Sequence, residues 1–179
     1  MTLGIDIDNT MINSNELANK CAHEFDPSIE DYHKIPASKY REFLNKYLEY
    51  IEKNAKPKDN LKEVFDYFKE NNIKIVIITA RNKEDAYNTE IITIDYMKKN
   101  NIPYDNIVFN SQNKGIDAKK YNVDLFIDDK EFNLDSVNKE GIPVLKFADG
   151  DRSKYKSVSS WLEIKDIVRG ILDERNVKC

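Results

Sequence analysis

Two aspartates one residue apart close a short apolar run near the start of the chain, in Gly4-Ile-Asp6-Ile-Asp8-Asn9-Thr10, and two adjacent ones close another in Leu125-Phe-Ile-Asp128-Asp129. If the two runs are neighbouring strands of one sheet, their ends gather four carboxylates. Like charges so close repel, so the cluster must raise the pKa of some members or hold a cation. Hard oxygen donors with room for water suit Mg2+, which takes one or two carboxylates together with a substrate phosphate. A third run ends in Ile77-Ile-Thr79-Ala80-Arg81. It offers a hydroxyl, the N–H groups of the following turn and a guanidinium, all donors suited to phosphate oxygens. Arg81 reads either as an exposed turn residue or as a contact to a substrate phosphate or a lid. Asn113-Lys114-Gly115 sets an ammonium at the start of a short helix, with Lys119 and Lys120 further along it. The helix-start position beside Gly115 favours Lys114, whereas Lys119 reads as a solvated helix face. A metal, a hydroxyl and an ammonium together could neutralise a phosphoryl group approached by a carboxylate, and that carboxylate is Asp6.

These residues need a scaffold that brings strand ends together. Candidate strands are Leu3–Ile7, Lys74–Thr79, Ile107–Phe109, Leu125–Asp128 and Pro143–Phe147, and they alternate with amphipathic helical stretches. That alternation implies an α/β fold, a doubly wound, three-layer, Rossmann-like parallel sheet covered by helices on both faces. Leu61, Val64, Phe65 and Phe68 repeat at i, i+3, i+4 and i+7 before the second strand, and Asn71-Asn72 ends that helix. Tyr87, Ile91, Ile94 and Met97 form the expected buried stripe of the next helix, and Trp161, Ile164, Val168, Ile171 and Leu172 that of the last. One stretch breaks the pattern. Residues 12–56 hold no strand candidate but contain a helix with Tyr40, Phe43, Leu44, Tyr47, Leu48 and Ile51 on one face, closed by Pro57. The expected division is therefore a core of residues 1–11 and 57–179 with a small helical cap, 12–56, inserted after the first strand. Such an insertion would lie over the carboxyl ends of the strands, where open α/β sheets place their ligands. Its aromatic residues, Phe25, Tyr40, Phe43 and Tyr47, read mainly as packing within the lid and against the core, and alternatively as a surface for a base or sugar.

The chain has 179 residues, with 28 basic and 32 acidic side chains and a formal net charge of −4. A mildly acidic protein without a Lys/Arg block is not a general binder of nucleic acid polymers. No apolar run is long enough to span a bilayer and the start lacks a signal-peptide pattern, so the chain reads as cytoplasmic. Cys21 and Cys179 read as reduced thiols, and His23 and His33 lack partners at zinc spacing. With five glycines and no glycine-rich phosphate loop, a kinase or GTPase has no support.

The ordered motifs resemble those of the haloacid dehalogenase-like hydrolases: Asp-x-Asp-x-Thr after strand one (Asp6, Asp8, Thr10), Thr79 after strand two, Lys114, and the acidic pair Asp128-Asp129 after strand four. The chain is more narrowly similar to the 5'(3')-deoxyribonucleotidases and their bacterial relatives in its helical insertion, its Ile-Asp-Asp-Lys segment and Ser160-Trp161-Leu-Glu-Ile. It departs from the animal enzymes at Asn9-Thr10 and Thr79-Ala80-Arg81. The resemblance implies a Mg2+-dependent phosphomonoester hydrolase, with Asp6 as the nucleophile that becomes an aspartyl-phosphate. Asp8 would be the general acid and base. Thr79 and Lys114 would hold the phosphoryl group, with Arg81 as a further candidate. The implied metal ligands are the Asp6 carboxylate, the Asp8 carbonyl and Asp129, with Asp128 acting behind it. The expected substrate is a small nucleoside monophosphate, or alternatively a sugar phosphate, and the chain would be a monomer or homodimer. A receiver-like signalling module uses a similar set of acids, Thr and Lys, but has no need of a proton donor such as Asp8 or of the insertion. A noncatalytic interaction protein would have no use for the intact motifs.

Overall fold

The computed structural model describes residues 1–85, 88–148, 150 and 153–177. In chain order the elements are β1 (Thr2–Ile5), α1 (Ser14–Phe25), a 3-10 turn (Tyr32–Lys34), α2 (Ala37–Asn54), α3 (Leu61–Glu70), β2 (Lys74–Ile78), α4 (Thr89–Lys99), β3 (Asn106–Val108), α5 (Lys114–Lys120), β4 (Leu125–Asp128), α6 (Glu131–Lys139), β5 (Val144–Phe147), β6 (Ser157–Val158) and α7 (Trp161–Val177). The strands form one parallel sheet in the order β3-β2-β1-β4-β5-β6. The five expected strands are present with ends shifted by a residue or two. Two-residue β6 carries too little pattern to be read from sequence.

Both faces of the sheet are covered, which is why its central strands are almost continuously apolar. Side chains alternate between faces along each strand. Leu3 and Ile5 of β1, Ile75 and Ile77 of β2, and Leu125 and Ile127 of β4 join the cluster containing Val64, Phe65 and Phe68 of α3 and Trp161, Ile164 and Val168 of α7. Val76, Ile78 and Phe126 face the other way, with Ala118 of α5 and Leu134 and Val137 of α6. Gly4 shares that second face, where an added Cβ would lie 2.5 Å from Phe126 Cδ2. Trp161 is fully buried edge-on to Phe65 at 5.0 Å between ring centroids, a burial contributing about 1.5–3 kcal/mol.

α3 ends as its sequence indicates, with Asn72 in a left-handed conformation at φ 55°. The stripe expected on α4 is corrected. Ile91 is exposed and Ile94 half-buried, whereas Thr89, Ile92, Thr93, Tyr96 and Met97 are buried; Tyr87 lies outside the described residues. Met97 is buried as expected, but counting apolar positions misplaces the rest of the stripe because the polar members of the inner face have partners. The Tyr96 hydroxyl donates to the Ala55 carbonyl at 2.6 Å and Thr93 Oγ1 accepts from Arg81.

Between β1 and α3 the chain builds a separate apolar cluster. Ala18, Cys21 and Ala22 of α1 pack with Ile29, Ile35 and Phe43, Tyr47 and Ile51 of α2. Phe25 meets Phe43 edge-on at 5.8 Å, so the aromatic stripe is mainly packing inside this unit. Cys21 is a buried free thiol, His23 and His33 are exposed, and Cys179 lies outside the described residues. Chain entry and exit are tied together at an antiparallel bridge of Ile12 with Pro57, flanked by Asn13 N–H to the Lys56 carbonyl and Lys58 N–H to the Met11 carbonyl, both 2.8 Å.

Candidate active site

Parallel pairing of β1 with β4 and with β2 puts the three motif-bearing strand ends side by side. The ladder continues past β1 through Asp6 N–H to the Ile127 carbonyl at 3.0 Å, which aligns the two acidic ends. Asp6, Asp128 and Asp129 each offer a carboxylate oxygen within 4.8 Å of the others. Lys114 reaches into this cluster from the first residue of α5, its side chain 3% exposed, donating to Asp6 Oδ1 and, at 2.7 Å, to Asp128 Oδ2. Its position is fixed by the cap of α5, where Asn113 Oδ1 accepts from the N–H groups of Gly115 and Ile116, and by the close packing of α5 on α6. A Cβ on Gly115 would lie 2.2 Å from the Ser136 carbonyl oxygen. Lys119 pairs instead with Glu140 on the surface at 2.7 Å.

The two adjacent acids have different surroundings. Asp128 is fully buried and accepts from Lys114, from the Lys130 N–H at 2.8 Å, and from Asn133 Nδ2 at 3.1 and 3.0 Å on its two oxygens. Three donor groups, the Lys114 ammonium, the Lys130 N–H and the Asn133 amide that straddles both oxygens, therefore face this carboxylate. Asp129 is half-buried and meets the Lys130 ammonium at 3.2 Å. Burial pushes the Asp6 carboxyl well above the ordinary aspartate value; Lys114 opposes this, and the charges of Asp128 and Asp8 reinforce it. Burial likewise raises Asp129, with Lys130 opposing and Asp128 reinforcing. Burial alone would depress the Lys114 pKa, but Asp6 and Asp128 more than compensate and raise it. Three carboxylates against the ammonium groups of Lys114 and Lys130 leave an excess of one negative charge on hard oxygen atoms, a donor set that fits Mg2+.

Asp8 follows on the turn where Asn9 adopts φ 62°. That turn is fastened by Asn9 Oδ1, which accepts from the Asn15 N–H at 2.8 Å and Ser14 Oγ at 3.3 Å. The expectation of an exposed Arg81 is corrected. Its side chain is 6% exposed, and it donates from Nε at 2.9 Å and Nη2 at 2.8 Å to the two oxygens of Asp8. A third bond from Nη1 reaches Thr93 Oγ1 at 3.0 Å. These partners take three of the five guanidinium N–H donors. Burial would raise the Asp8 pKa, but Arg81 outweighs it and holds the carboxyl below the ordinary value. Thr79 is buried beside them and its Oγ1 accepts from the Arg81 N–H at 3.2 Å. Thr10 is fully buried with its carbonyl accepting from Trp161 Nε1 at 3.1 Å, which makes it a brace under the turn.

A cavity of about 340 Å³ opens on Asp6, Asp8, Thr79, Lys114 and Asp129. Its far wall comes from the inserted helices and includes Tyr32, Tyr40, Phe43, Leu44 and Leu48. The exposed ring of Phe132, at the start of α6, lines it from the core side. Tyr32 donates to Asn15 Oδ1 at 3.0 Å, and burial, then Tyr40 and the charges of Asp8 and Asp129, push its phenol up to about 12, so it remains an O–H donor. Sequence reasoning missed Tyr32, Phe132, Asn133, Glu52 and Thr93. Asn133 falls one helical turn beyond the acidic pair, a usable signal once a helix is placed there; Glu52 looks like any solvated helical glutamate.

No protein-family model matches the chain. A nucleotidase from Clostridium acetobutylicum is 31% identical over 156 residues, covering 81% of this chain and 79% of the relative. Among solved structures, a candidate β-phosphoglucomutase from Thermotoga maritima superposes with a TM-score of 0.70 at 13% identity, covering 95% of this chain and 99% of that one. A HAD-superfamily hydrolase from Ehrlichia chaffeensis gives 0.59 at 17% identity, covering 96% and 97%. The two structural likenesses show a shared α/β fold built on a parallel sheet. The chain belongs to the haloacid dehalogenase-like hydrolases, in the phosphomonoester-hydrolase class that holds the clostridial nucleotidase.

Proposed function

We propose that this protein is a cytoplasmic, Mg2+-dependent phosphomonoesterase that acts through an aspartyl-phosphate on small phosphate esters, foremost nucleoside monophosphates. The observation carrying this reading is the convergence of Asp6, Lys114, Asp129 and Thr79 on one end of a cavity whose other walls are largely apolar and aromatic. In the first step Asp6 attacks phosphorus, the ester P–O bond breaks, and the leaving oxygen takes a proton from the protonated form of Asp8, which Arg81 disfavours in the free protein and the negative charge of a bound phosphate ester favours. In the second, water attacks the aspartyl-phosphate, its proton passes to Asp8, and Asp6 leaves as carboxylate. Thr79 and Lys114 hold the phosphoryl oxygens, and Lys114 keeps Asp6 oriented. Asp6, the Asp8 carbonyl and Asp129 would hold Mg2+, with Asp128 behind them, since Asp128 is fully buried and already faces Lys114, the Lys130 N–H and Asn133. When bound, the cation supplies positive charge for the phosphoryl oxygens.

Residues 12–56 act in this reading as a cap whose Tyr40, Leu44 and Leu48 exclude water and limit substrate size. Tyr40 and Phe132 offer aromatic faces to a planar leaving group, which favours nucleotides. Among the described residues no helix is long and apolar enough to cross a membrane. The test is phosphate release from a panel of 5'- and 3'-nucleotides and sugar phosphates, with Mg2+ and with a chelator. Mg2+-dependent release from nucleotides supports the full reading; release from sugar phosphates alone removes nucleotide preference; no release from any ester overturns it.

A further inference from the structure

Asp8 and the inserted helix α2 meet through one buried cation. Asp8's side chain is 39% exposed, on a turn that by itself would let the carboxylate rotate. Arg81 prevents that with two parallel bonds, one to each oxygen, a fork that fixes the carboxylate plane as well as its distance. Beyond the fork and the Ser14 hydroxyl, the Asp8 carboxylate retains lone-pair capacity for a substrate atom or a proton. The guanidinium is itself held from two sides. Thr93 of α4 accepts from Nη1, and Glu52 of α2, 5% exposed, places Oε1 at 3.9 Å from Nε while accepting a bond from the Thr89 hydroxyl. Glu52 Oε2 has no hydrogen-bond partner among the described residues. A buried, incompletely paired carboxylate is costly, and it stands where it faces the group that orients Asp8.

We propose that Arg81 and Glu52 are positioning residues through which the placement of the inserted helix α2 sets the geometry of the Asp8 carboxyl toward the leaving oxygen. This rests on the phosphomonoesterase reading. With α2 seated, Glu52 and Thr93 confine the guanidinium, and the guanidinium confines Asp8. Proton transfer to the leaving group is then efficient only when the helix that covers the substrate is in place.

The test compares two esters differing in their need for a proton. 4-Nitrophenyl phosphate releases a stable phenolate and needs little protonation, whereas an alkyl ester such as glycerol phosphate needs it fully. Wild type, Arg81→Met, Arg81→Lys and Glu52→Gln are assayed on both. General acid catalysis is worth roughly 10²–10⁴-fold, so Arg81→Met should lower kcat for the alkyl ester at least about tenfold more than for the nitrophenyl ester. Glu52→Gln, which keeps an acceptor for Thr89, should show the same selectivity more weakly, and Arg81→Lys should recover part of it. Equal losses on both esters, as a purely structural role gives, overturn the proposal. So does a loss confined to KM, which would make Arg81 a direct phosphate ligand. If Arg81→Met fails to fold by circular dichroism, Glu52→Gln decides the same comparison. Wild type releasing phosphate from neither ester removes the phosphomonoesterase reading, and this proposal with it; turnover with unselective losses removes this proposal alone.

Discussion

Replacing Lys114 with methionine tests the cluster most severely, because one side chain neutralises two buried acids. The substitution preserves volume and removes the donor to both Asp6 Oδ1 and Asp128 Oδ2, whose side chains are 9% and 0% exposed. Removing one partner of a buried ion pair typically costs about 3–5 kcal/mol, and two charge-assisted bonds at about 1.5–3 kcal/mol each give a similar figure. The Lys114 pKa is raised in the fold, so its stabilisation is fully present at pH 7 and is lost only as pH rises through that raised value. The assay is urea unfolding at pH 7 and again at pH 5, without metal. Lys114→Met should lose about 3 kcal/mol or more at pH 7. The gap should narrow at pH 5, where Asp6, with its raised pKa, is closer to its neutral form. A deficit below about 1 kcal/mol at pH 7, the range of exposed pairs, would refute the view that this lysine neutralises the site.

The adjacent acids should separate by assay: Asp128→Ala, which strands Lys114 and Asn133, should cost about 3 kcal/mol in urea unfolding. Asp129→Ala should cost under about 1 kcal/mol and abolish the rise in Tm on adding Mg2+. Gly4→Ala forces a methyl against Phe126 Cδ2 at 2.5 Å and should cost about 1–3 kcal/mol, partly recovered in the double variant with Phe126→Leu. Asp105 accepts from Lys69 at 2.6 Å and from the Ile75 N–H at 2.8 Å. Its pKa is lowered because these bonds outweigh burial. Asp105→Ala should therefore cost about 1–2 kcal/mol at pH 7, and the difference should vanish as pH falls through the depressed value.

What the sequence made legible followed from local pattern. Strands buried on both faces read as apolar runs, and the acids that end them read as a cluster once β1 and β4 are neighbours. The Gly115 neighbourhood singled out Lys114, which lies beside Asp6 and Asp128, because the helix start and the tight packing on Ser136 share a cause. What stayed hidden depends on partners remote in sequence. Arg81 looks like a turn residue until Asp8, 73 positions earlier, closes on its fork. Thr89, Thr93 and Tyr96 look like the wet side of α4, yet each is buried because Glu52, Arg81 or the Ala55 carbonyl bonds it. Phe43 and Tyr47 were readable as packing, whereas the part of Tyr40, Tyr32 and Phe132 in the cavity wall required the inserted helices to be placed.

The central claim is that Asp6 becomes covalently phosphorylated during turnover. Incubating the protein with Mg2+ and a hydrolysed ester, quenching with borohydride and sequencing the peptides by mass spectrometry reads this directly, because borohydride reduces an acyl phosphate to an alcohol. The account predicts homoserine at position 6, dependent on both ester and metal, and unmodified aspartate at positions 8, 128 and 129. Phosphate release with no reduced residue at position 6, or with the reduced residue at another aspartate, would contradict it.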